Sequence, residues 1–304
     1  MTAHGIMFHH FHGGEHPCVQ GSISASELND IIDQIGADNI LSAETWIERA
    51  RLGDLSNRDI CLTFDDGLRC QYDVALPVLY DRGLTAAWFV YSSVFEGHSE
   101  RLEIYRYFRT VAFPDIDTFY QSFDDVLAAS KYGEQAVLAM TDFVPDNYLV
   151  DHTFYSTNDR RFRYLRDRVL GPGKYNALMD EMIANWSSKP NDLHNHLWMD
   201  EACLQTLQAQ GHIIGLHSYS HPTVMADLSN AEQQREYSKN SDHLAKILGN
   251  KPSAMTHPCN SYNADTLQVL EQMGVSVGFR ANMAKGPYGS LELPRVDHAD
   301  FMAR

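Results

Sequence analysis

Short apolar runs alternate with stretches of helical periodicity along most of this 304-residue chain. Parallel strands need a long crossover between them, usually a helix, so this alternation predicts an α/β fold with parallel strands. The clearest helices outside the middle of the chain are predicted at residues 24–36, 230–248 and 264–273. The predicted strands cover residues 5–11, 59–64, 84–92, 212–217, 252–257, 275–281 and 291–297.

Residues 97–197 interrupt the alternation. This segment is rich in Tyr, Phe, Asp and Arg, and residues 124–144 and 173–187 have the apolar spacing of helices. We therefore expect a strand-and-helix domain built from residues 1–96 and 198–304, with a mostly helical insertion at 97–197. Long insertions on a rigid scaffold often carry function, and we expect this one to form a lid or a wall of the substrate site.

The charge balance excludes some classes of partner. The chain has 40 acidic and 24 basic residues and a formal net charge of -16. A strongly acidic surface repels phosphate backbones and anionic lipids, so nucleic acid and bare membrane are not expected partners.

Two further patterns bear on the compartment. The N-terminus lacks the pattern of a secretory signal, and no apolar run approaches the roughly 18 residues of a spanning helix. The five cysteines are odd in number and none has CxxC spacing, which indicates free thiols. We expect a cytoplasmic protein without a transmembrane segment.

Two adjacent carboxylates, Asp65 and Asp66, follow the predicted strand at 59–64, and Gly67 comes after them. Side chains of neighbouring residues at a strand end point in different directions, so one carboxylate could bind a metal while the other accepts a proton. The alternative is an Asp-Asp-Gly turn that only ends the strand.

Two histidines, His217 and His221, lie four residues apart at the end of another predicted strand. Imidazoles at this spacing can reach one metal ion, and two histidines with one carboxylate form a familiar catalytic metal set with positions open for water and substrate. The alternative is one core histidine and one surface histidine. The two motifs support each other, because together they supply both metal ligands and a proton acceptor.

The combination of TFDDG with HSYSH resembles the polysaccharide deacetylases of carbohydrate esterase family four, the nodulation-type chitooligosaccharide deacetylase group. The flanking segments GLTAAWFV, LQAQGHIIGLHSYSHP and THPCNSYN are similar to other motifs of that family. The resemblance covers residues 5–95 and 197–298, about two thirds of the chain.

The resemblance implies a distorted (β/α) barrel with the active site at the carboxyl ends of the strands. It implies that Asp65 is the catalytic base and that Asp66, His217 and His221 bind one divalent ion, usually Zn²⁺, with Co²⁺ or Ni²⁺ as alternatives. It also implies that a backbone N–H near Tyr262 stabilises the oxyanion.

The third motif departs from the family pattern. Its usual arginine, which orients the catalytic Asp, is absent, and His257 and Asn260 stand in this region, the latter in place of a glycine. Arg295, just before the end of the last predicted strand, is a candidate to orient Asp65 instead. The alternative for residues 293–300 is a charged edge that leads to the C-terminus.

Three more histidines are candidates for the site. His298 is the best candidate for the general acid, because it follows the last predicted strand. His9 and His10 stand where the family often has Tyr-His, and they could contact substrate. The alternative for these two is a buried strand histidine.

The resemblance leads us to expect a sugar N-deacetylase of bacterial O-antigen or capsule synthesis. Its expected substrate is an acylated amino sugar, either nucleotide- or lipid-linked. The alternatives are a hydrolase of a non-sugar amide or imide, a sugar O-deacetylase, and a non-catalytic glycan-binding barrel. The sequence does not indicate an oligomeric state.

Overall fold

The computed structural model describes residues 2–149, 155–188 and 192–302. The chain divides into two compact units, one made of Met1–Glu100 with His194–Arg304 and the other of Arg101–Leu193. Part of the predicted insertion, residues 150–154 and 189–191, lies outside the described residues. The role of the insertion as a lid or a substrate wall stays a prediction.

Seven parallel strands form a single sheet in the first unit, in the order β6-β5-β4-β3-β2-β1-β7. A bridge between Phe279 and Leu293 brings the two outer strands towards each other, so the sheet is nearly closed. The structure confirms the predicted (β/α) barrel. The strands are β1 His4–Phe8, β2 Ile60–Asp65, β3 Ala87–Val90, β4 Ile213–Leu216, β5 Ala254–Thr256, β6 Val277–Phe279 and β7 Arg295–Asp297.

The barrel interior is filled with apolar side chains below the carboxyl ends of the strands. Trp46 from a helix stacks on Phe279, and Phe89 meets Phe279 edge to face. Gly215 lies opposite Phe89, and a Cβ at this glycine would be 2.5 Å from the Phe89 ring. The strands are almost completely buried, as expected for parallel strands that are covered on both faces.

Helices of the first unit follow the predicted pattern closely. Ser24 caps the first helix in a capping box with Glu27, and the predicted helix at 230–248 has the same bounds in the structure. Among the described residues, no helix is both long and apolar enough to cross a membrane. These helices are α1 Ala25–Ile35, α2 Ala43–Leu52, α3 Leu76–Asp81, α10 Glu201–Ala209, α11 Asn230–Leu248, α12 Ala264–Gln272 and α13 His298–Met302.

The second unit is helical, with a core of aromatic and aliphatic side chains that includes Phe119, Phe123 and Met179. The apolar spacing at residues 124–144 belongs to two helices, α5 and α6, with a break between them. Ser130 ends α5, and the carbonyls of the preceding turn lie too close to Gly133 for any Cβ. Its helices are α4 Arg101–Val111, α5 Ile116–Ala129, α6 Gly133–Ala139, α7 Thr157–Tyr164 and α8 Gly171–Ala184, and the short α9 Leu193–Leu197 follows.

Candidate active site

The carboxyl ends of the parallel strands meet at one end of the barrel, where β/α-barrel enzymes place their active sites. Asp65 ends β2, His217 follows β4 and Thr256 ends β5. All three side chains are buried at this end of the barrel. The sequence therefore folds so that polar groups from distant parts of the chain converge in one place.

Asp66, His217 and His221 form the cluster of the described residues that could hold a metal ion. The Nε2 atoms of His217 and His221 lie 3.4 and 3.5 Å from Oδ1 of Asp66. This Oδ1 atom is buried and has no hydrogen-bond donor within normal geometry among the described residues. A divalent ion would satisfy this oxygen, so the residues fit the metal that the sequence resemblance implies.

The Nδ1 atom of His217 faces Thr256, at 3.2 Å from its carbonyl oxygen and 2.6 Å from its hydroxyl oxygen. The carbonyl accepts only, so Nδ1 carries the proton and Nε2 keeps its lone pair for a metal. The pKa of His217 lies above its ordinary value, because Asp65 and Asp66 outweigh the effect of burial. Protons therefore compete with an ion for Nε2.

The backbone separates the two adjacent aspartates. Asp65 is the last residue of β2, whereas Asp66 has a φ of 80° in the left-handed region. The N–H of Asp66 still donates to the carbonyl of Phe89 on β3, at 3.0 Å. This turn places the two carboxylates in different surroundings, as the motif predicted.

Asp65 is held by Arg295. The Nη1 and Nη2 atoms of Arg295 donate to Oδ1 and Oδ2 of Asp65 at 2.8 and 2.7 Å, and both side chains are buried. Arg295 has room because Gly5 faces it, and a Cβ at Gly5 would be 3.0 Å from Cγ of Arg295. The fork-to-fork geometry fixes the orientation of the Asp65 carboxylate.

The same contact sets the charge of Asp65. Burial alone would raise the pKa of its carboxyl, but the adjacent guanidinium of Arg295 and the ring of His217 hold that pKa below its ordinary value. Asp65 is therefore ionised at neutral pH and can accept a proton.

His9 and His10 follow β1, and their rings stack at 6.3 Å. The Nε2 atom of His9 lies 4.0 Å from Oδ2 of Asp65, and its side chain is 30% exposed. Burial lowers the pKa of His9 below its ordinary value, although Asp66 and Asp65 favour the charged ring. His9 thus presents a neutral imidazole beside the predicted base.

His257 is buried beneath Tyr262, with ring centroids 4.0 Å apart. Its Nε2 atom donates to the carbonyl of Leu291 at 2.8 Å, and burial lowers the pKa of His257 to about 3. The ring is therefore neutral and supports Tyr262, whose hydroxyl donates to Glu292 at 3.0 Å.

Asn260 stands where the resembled motif has a glycine, and the structure explains why Asn is accepted there. Its φ is 54°, and asparagine is among the residues that tolerate the left-handed region best. Its side-chain oxygen accepts the N–H of Ala281 at 2.7 Å, which ties this loop to the end of β6.

No contact within 4.0 Å joins His298 to Asp65 among the described residues, and the role of His298 as general acid stays a prediction. Its ring stacks on Phe8 at 5.7 Å, and Phe8 stacks on Phe64. Side chains alternate along a strand, so Phe64 and Asp65 lie on opposite faces of β2. The His298 ring therefore lies on the outer face of the sheet, with Phe8 and Phe64.

Sequence reasoning missed Thr256, which contacts both halves of the site. Its hydroxyl meets Nδ1 of His217 and also lies 3.4 Å from Oδ1 of Asp65. Strand alternation was the signal that could have found it, because only one of Thr256 and His257 at the end of β5 can face the barrel axis.

Comparisons with known proteins agree with this fold. A model of the polysaccharide deacetylase family matches residues 115–278, more than half of the chain. The chain therefore belongs to the polysaccharide deacetylase family. The matched segment includes His217 and His221, and it begins after Asp65 and Asp66. No curated protein sequence matches the chain.

Several solved structures are similar over nearly the whole chain. Streptococcus pyogenes deacetylase PplD in complex with acetate has 15% identity and a TM-score of 0.58, with 98% of this chain and 92% of that chain covered. A de-N-acetylase from Aggregatibacter actinomycetemcomitans has 14% identity and a TM-score of 0.56, with 97% and 94% covered. IcaB from Ammonifex degensii has 15% identity and a TM-score of 0.54, with 97% and 91% covered. At these identities the likeness shows the fold.

Proposed function

We propose that this chain is a metal-dependent hydrolase that removes the N-acetyl group from an amino sugar of a bacterial surface polysaccharide. The observation that carries the proposal is the pair of neighbouring carboxylates with opposite surroundings. Asp66 has a buried oxygen without a donor beside two histidine nitrogens, and Asp65 is ionised and oriented by Arg295.

Asp66, His217 and His221 are proposed to hold one divalent ion, with Zn²⁺ the first candidate and Co²⁺ or Ni²⁺ as alternatives. Such an ion lowers the pKa of water and polarises a carbonyl oxygen when it is bound. One carboxylate and two imidazoles suit a catalytic site, because they leave coordination positions open.

Asp65 is proposed to act as the general base. Its carboxylate is fixed by Arg295 and lies on the residue next to the metal ligand Asp66, so it is placed to take the proton of a water molecule at the site. Because its pKa is below the ordinary value, this proton acceptor is available at neutral pH.

Tyr262 and His9 are proposed to contact the acetamido group of the substrate. Among the described residues no acceptor engages the backbone N–H of Tyr262, so this donor is available for a developing oxyanion. His9 is partly exposed beside Asp65, where its neutral ring can donate one hydrogen bond. His10 is proposed to support His9 through their stacked rings.

The choice of an N-acetyl group is supported by the printed description of one structural neighbour, a de-N-acetylase. The surface-polysaccharide context is supported by the resemblance of the THPCNSYN motif to members with that role. A nucleotide-linked or lipid-linked amino sugar is the proposed form of the substrate.

The test is to incubate the parent protein and Asp65→Asn with N-acetylated amino sugars that are free, nucleotide-linked, lipid-linked or in short oligomers. Sugars that carry only O-acetyl groups, and simple amides and imides, serve as comparison substrates. The proposal predicts equal amounts of acetate and free amine from an N-acetylated sugar with the parent only. Turnover confined to O-acetyl sugars or to non-sugar amides would contradict it, and so would binding of sugars without any turnover.

A further inference from the structure

The turn that connects the two metal-binding histidines is conformationally strained. Ser218 has a φ of 63° and His221 a φ of 56°, so two non-glycine residues occupy the left-handed region within four positions. Residues other than glycine keep such a conformation only where the surrounding structure enforces it. Something outside the turn must therefore hold it.

Glu236 on α11 contacts this turn with both of its carboxylate oxygens. Oε2 accepts the backbone N–H of Tyr219 at 3.1 Å and that of Ser220 at 2.8 Å, and Oε1 accepts the hydroxyl of Ser220 at 2.8 Å. Among the described residues, no Lys or Arg forms an ion pair with Glu236 within 4.0 Å. Its charge is therefore directed at the turn.

Asn240, one helical turn further along α11, holds the start of the same segment. Its side-chain oxygen accepts the N–H of His217 at 3.1 Å, and its amide donates to the carbonyl of Val90 and the hydroxyl of Ser92. Residues four apart lie on the same face of a helix. One face of α11 thus binds the backbone on both sides of Ser218.

Two more contacts hold the turn, one within it and one to Ser93. The N–H of His221 donates to the hydroxyl of Ser218 at 3.1 Å, and the carbonyl of Tyr219 accepts the N–H of Ser93 at 2.9 Å. Of the three N–H groups between the histidines, Glu236 accepts two, those of Tyr219 and Ser220. Loss of Glu236 would leave these donors to water and remove the contacts that hold the middle of the strained turn.

We propose that Glu236 is a positioning residue for the metal site, which sets the spacing of His217 and His221 by binding the turn between them. The proposal rests on the metal-binding role proposed above for these two histidines. Partners that orient metal ligands commonly change metal affinity about 10- to 100-fold when they are removed. Glu236 acts through backbone groups, so we expect the lower end of this range.

The experiment measures Co²⁺ binding to chelator-treated protein by calorimetry, together with the visible absorption of the bound Co²⁺. Glu236→Ala should weaken Co²⁺ binding about tenfold and change the spectrum, because the two imidazoles lose their fixed spacing. Glu236→Gln should stay within about threefold of the parent, since its amide oxygen can accept the same two N–H groups. Asp242→Asn is the matched control, because Asp242 lies on α11 in an exposed ion pair with Lys251.

Glu236→Asp covers the case in which Glu236→Ala fails to fold, which thermal unfolding of the metal-free protein would show. It keeps the charge but shortens the reach, so it should also weaken Co²⁺ binding and alter the spectrum. Parental affinity and spectrum in every folded Ala or Asp variant would overturn the positioning role, even if the unfolding temperature fell. Absence of Co²⁺ binding by both the parent and Asp242→Asn would instead overturn the metal site itself, and the positioning role with it.

Discussion

Asp65 and Asp66 are neighbours in the chain, yet their carboxylates have opposite surroundings. Asp65 accepts two hydrogen bonds from a buried arginine and is fully engaged, whereas Asp66 directs a buried oxygen at two imidazoles and has no donor for it among the described residues. The difference shows that two adjacent aspartates need not have the same role. In the function proposed here, the first carboxylate accepts a proton and the second binds a metal.

The largest effect on turnover without metal loss is expected for Asp65→Asn. The amide cannot accept the proton, so kcat should fall about 10²- to 10⁴-fold while the metal content stays at the parent level. Steady-state kinetics and elemental analysis of the same preparation check this. A parental kcat in Asp65→Asn would show that Asp65 is not the general base.

Replacement of Arg295 by Met should remove both hydrogen bonds that the guanidinium donates to the Asp65 carboxylate. A buried charge without its partner costs about 3–5 kcal/mol, so the free energy of unfolding should fall by that order. The pKa of Asp65 should rise, because Arg295 is a cause of its low value.

Asp65 must be ionised to accept a proton, so activity is present above its pKa and is lost as the pH falls through it. The acid limb of the kcat/KM profile should therefore move to higher pH in Arg295→Met, with Arg295→Lys as the control that keeps the charge. In the same way, stability contributed by the depressed pKa is present at neutral pH and is lost on acidification. If the acid limb does not move in Arg295→Met, Arg295 does not lower the pKa of Asp65.

His9 and His298 form a matched pair on the two sides of the barrel wall. His9→Phe should lower kcat/KM about tenfold, the effect of one lost hydrogen bond to substrate. His298→Gln should leave kcat/KM within about threefold of the parent, because its ring packs on Phe8 away from Asp65. The opposite ranking would support His298 as the general acid.

A small loss of metal affinity is expected for Thr256→Val, which keeps the shape and removes the hydroxyl that touches both halves of the site. Metal affinity should fall severalfold, because the Nδ1 atom of His217 loses one of its two partners and keeps the carbonyl. Calorimetric titration with Zn²⁺ checks this. A change above 100-fold would mean that the hydroxyl, and not the carbonyl, sets the tautomer of His217.

Apolar runs and helical periodicity predicted a parallel α/β fold because both are local signals, and the family resemblance implied the barrel. The sequence also placed Asp66, His217 and His221 together, since all three stand at strand ends and parallel strands bring those ends to one edge. Arg295 was a candidate for the same reason, although its contact with Asp65 depends on the space that Gly5 leaves.

The remaining features depend on side-chain direction and on tertiary contacts. The period of two along β5 decides that Thr256 faces the site. His298 follows β7 as the first residue of α13, and its ring packs on Phe8. Glu236 lies 16 residues beyond Ser220 and meets it only because α11 packs over the turn. At the break between α5 and α6, the carbonyl oxygens of Leu127 and Ala128 lie too close to Gly133 for a Cβ. Apolar spacing in the sequence gives no sign of this contact.

The central claim is that Asp66, His217 and His221 hold one divalent ion, and the most direct test is the metal content of the purified protein. Elemental analysis of the parent, of Asp65→Asn and of His217→Ala, after exposure to Zn²⁺ or Co²⁺ and removal of excess, compares the two carboxylates in one experiment. The account predicts about one ion per chain in the parent and in Asp65→Asn, and essentially none in His217→Ala. No bound ion in the parent, or an equal amount in His217→Ala, would contradict it.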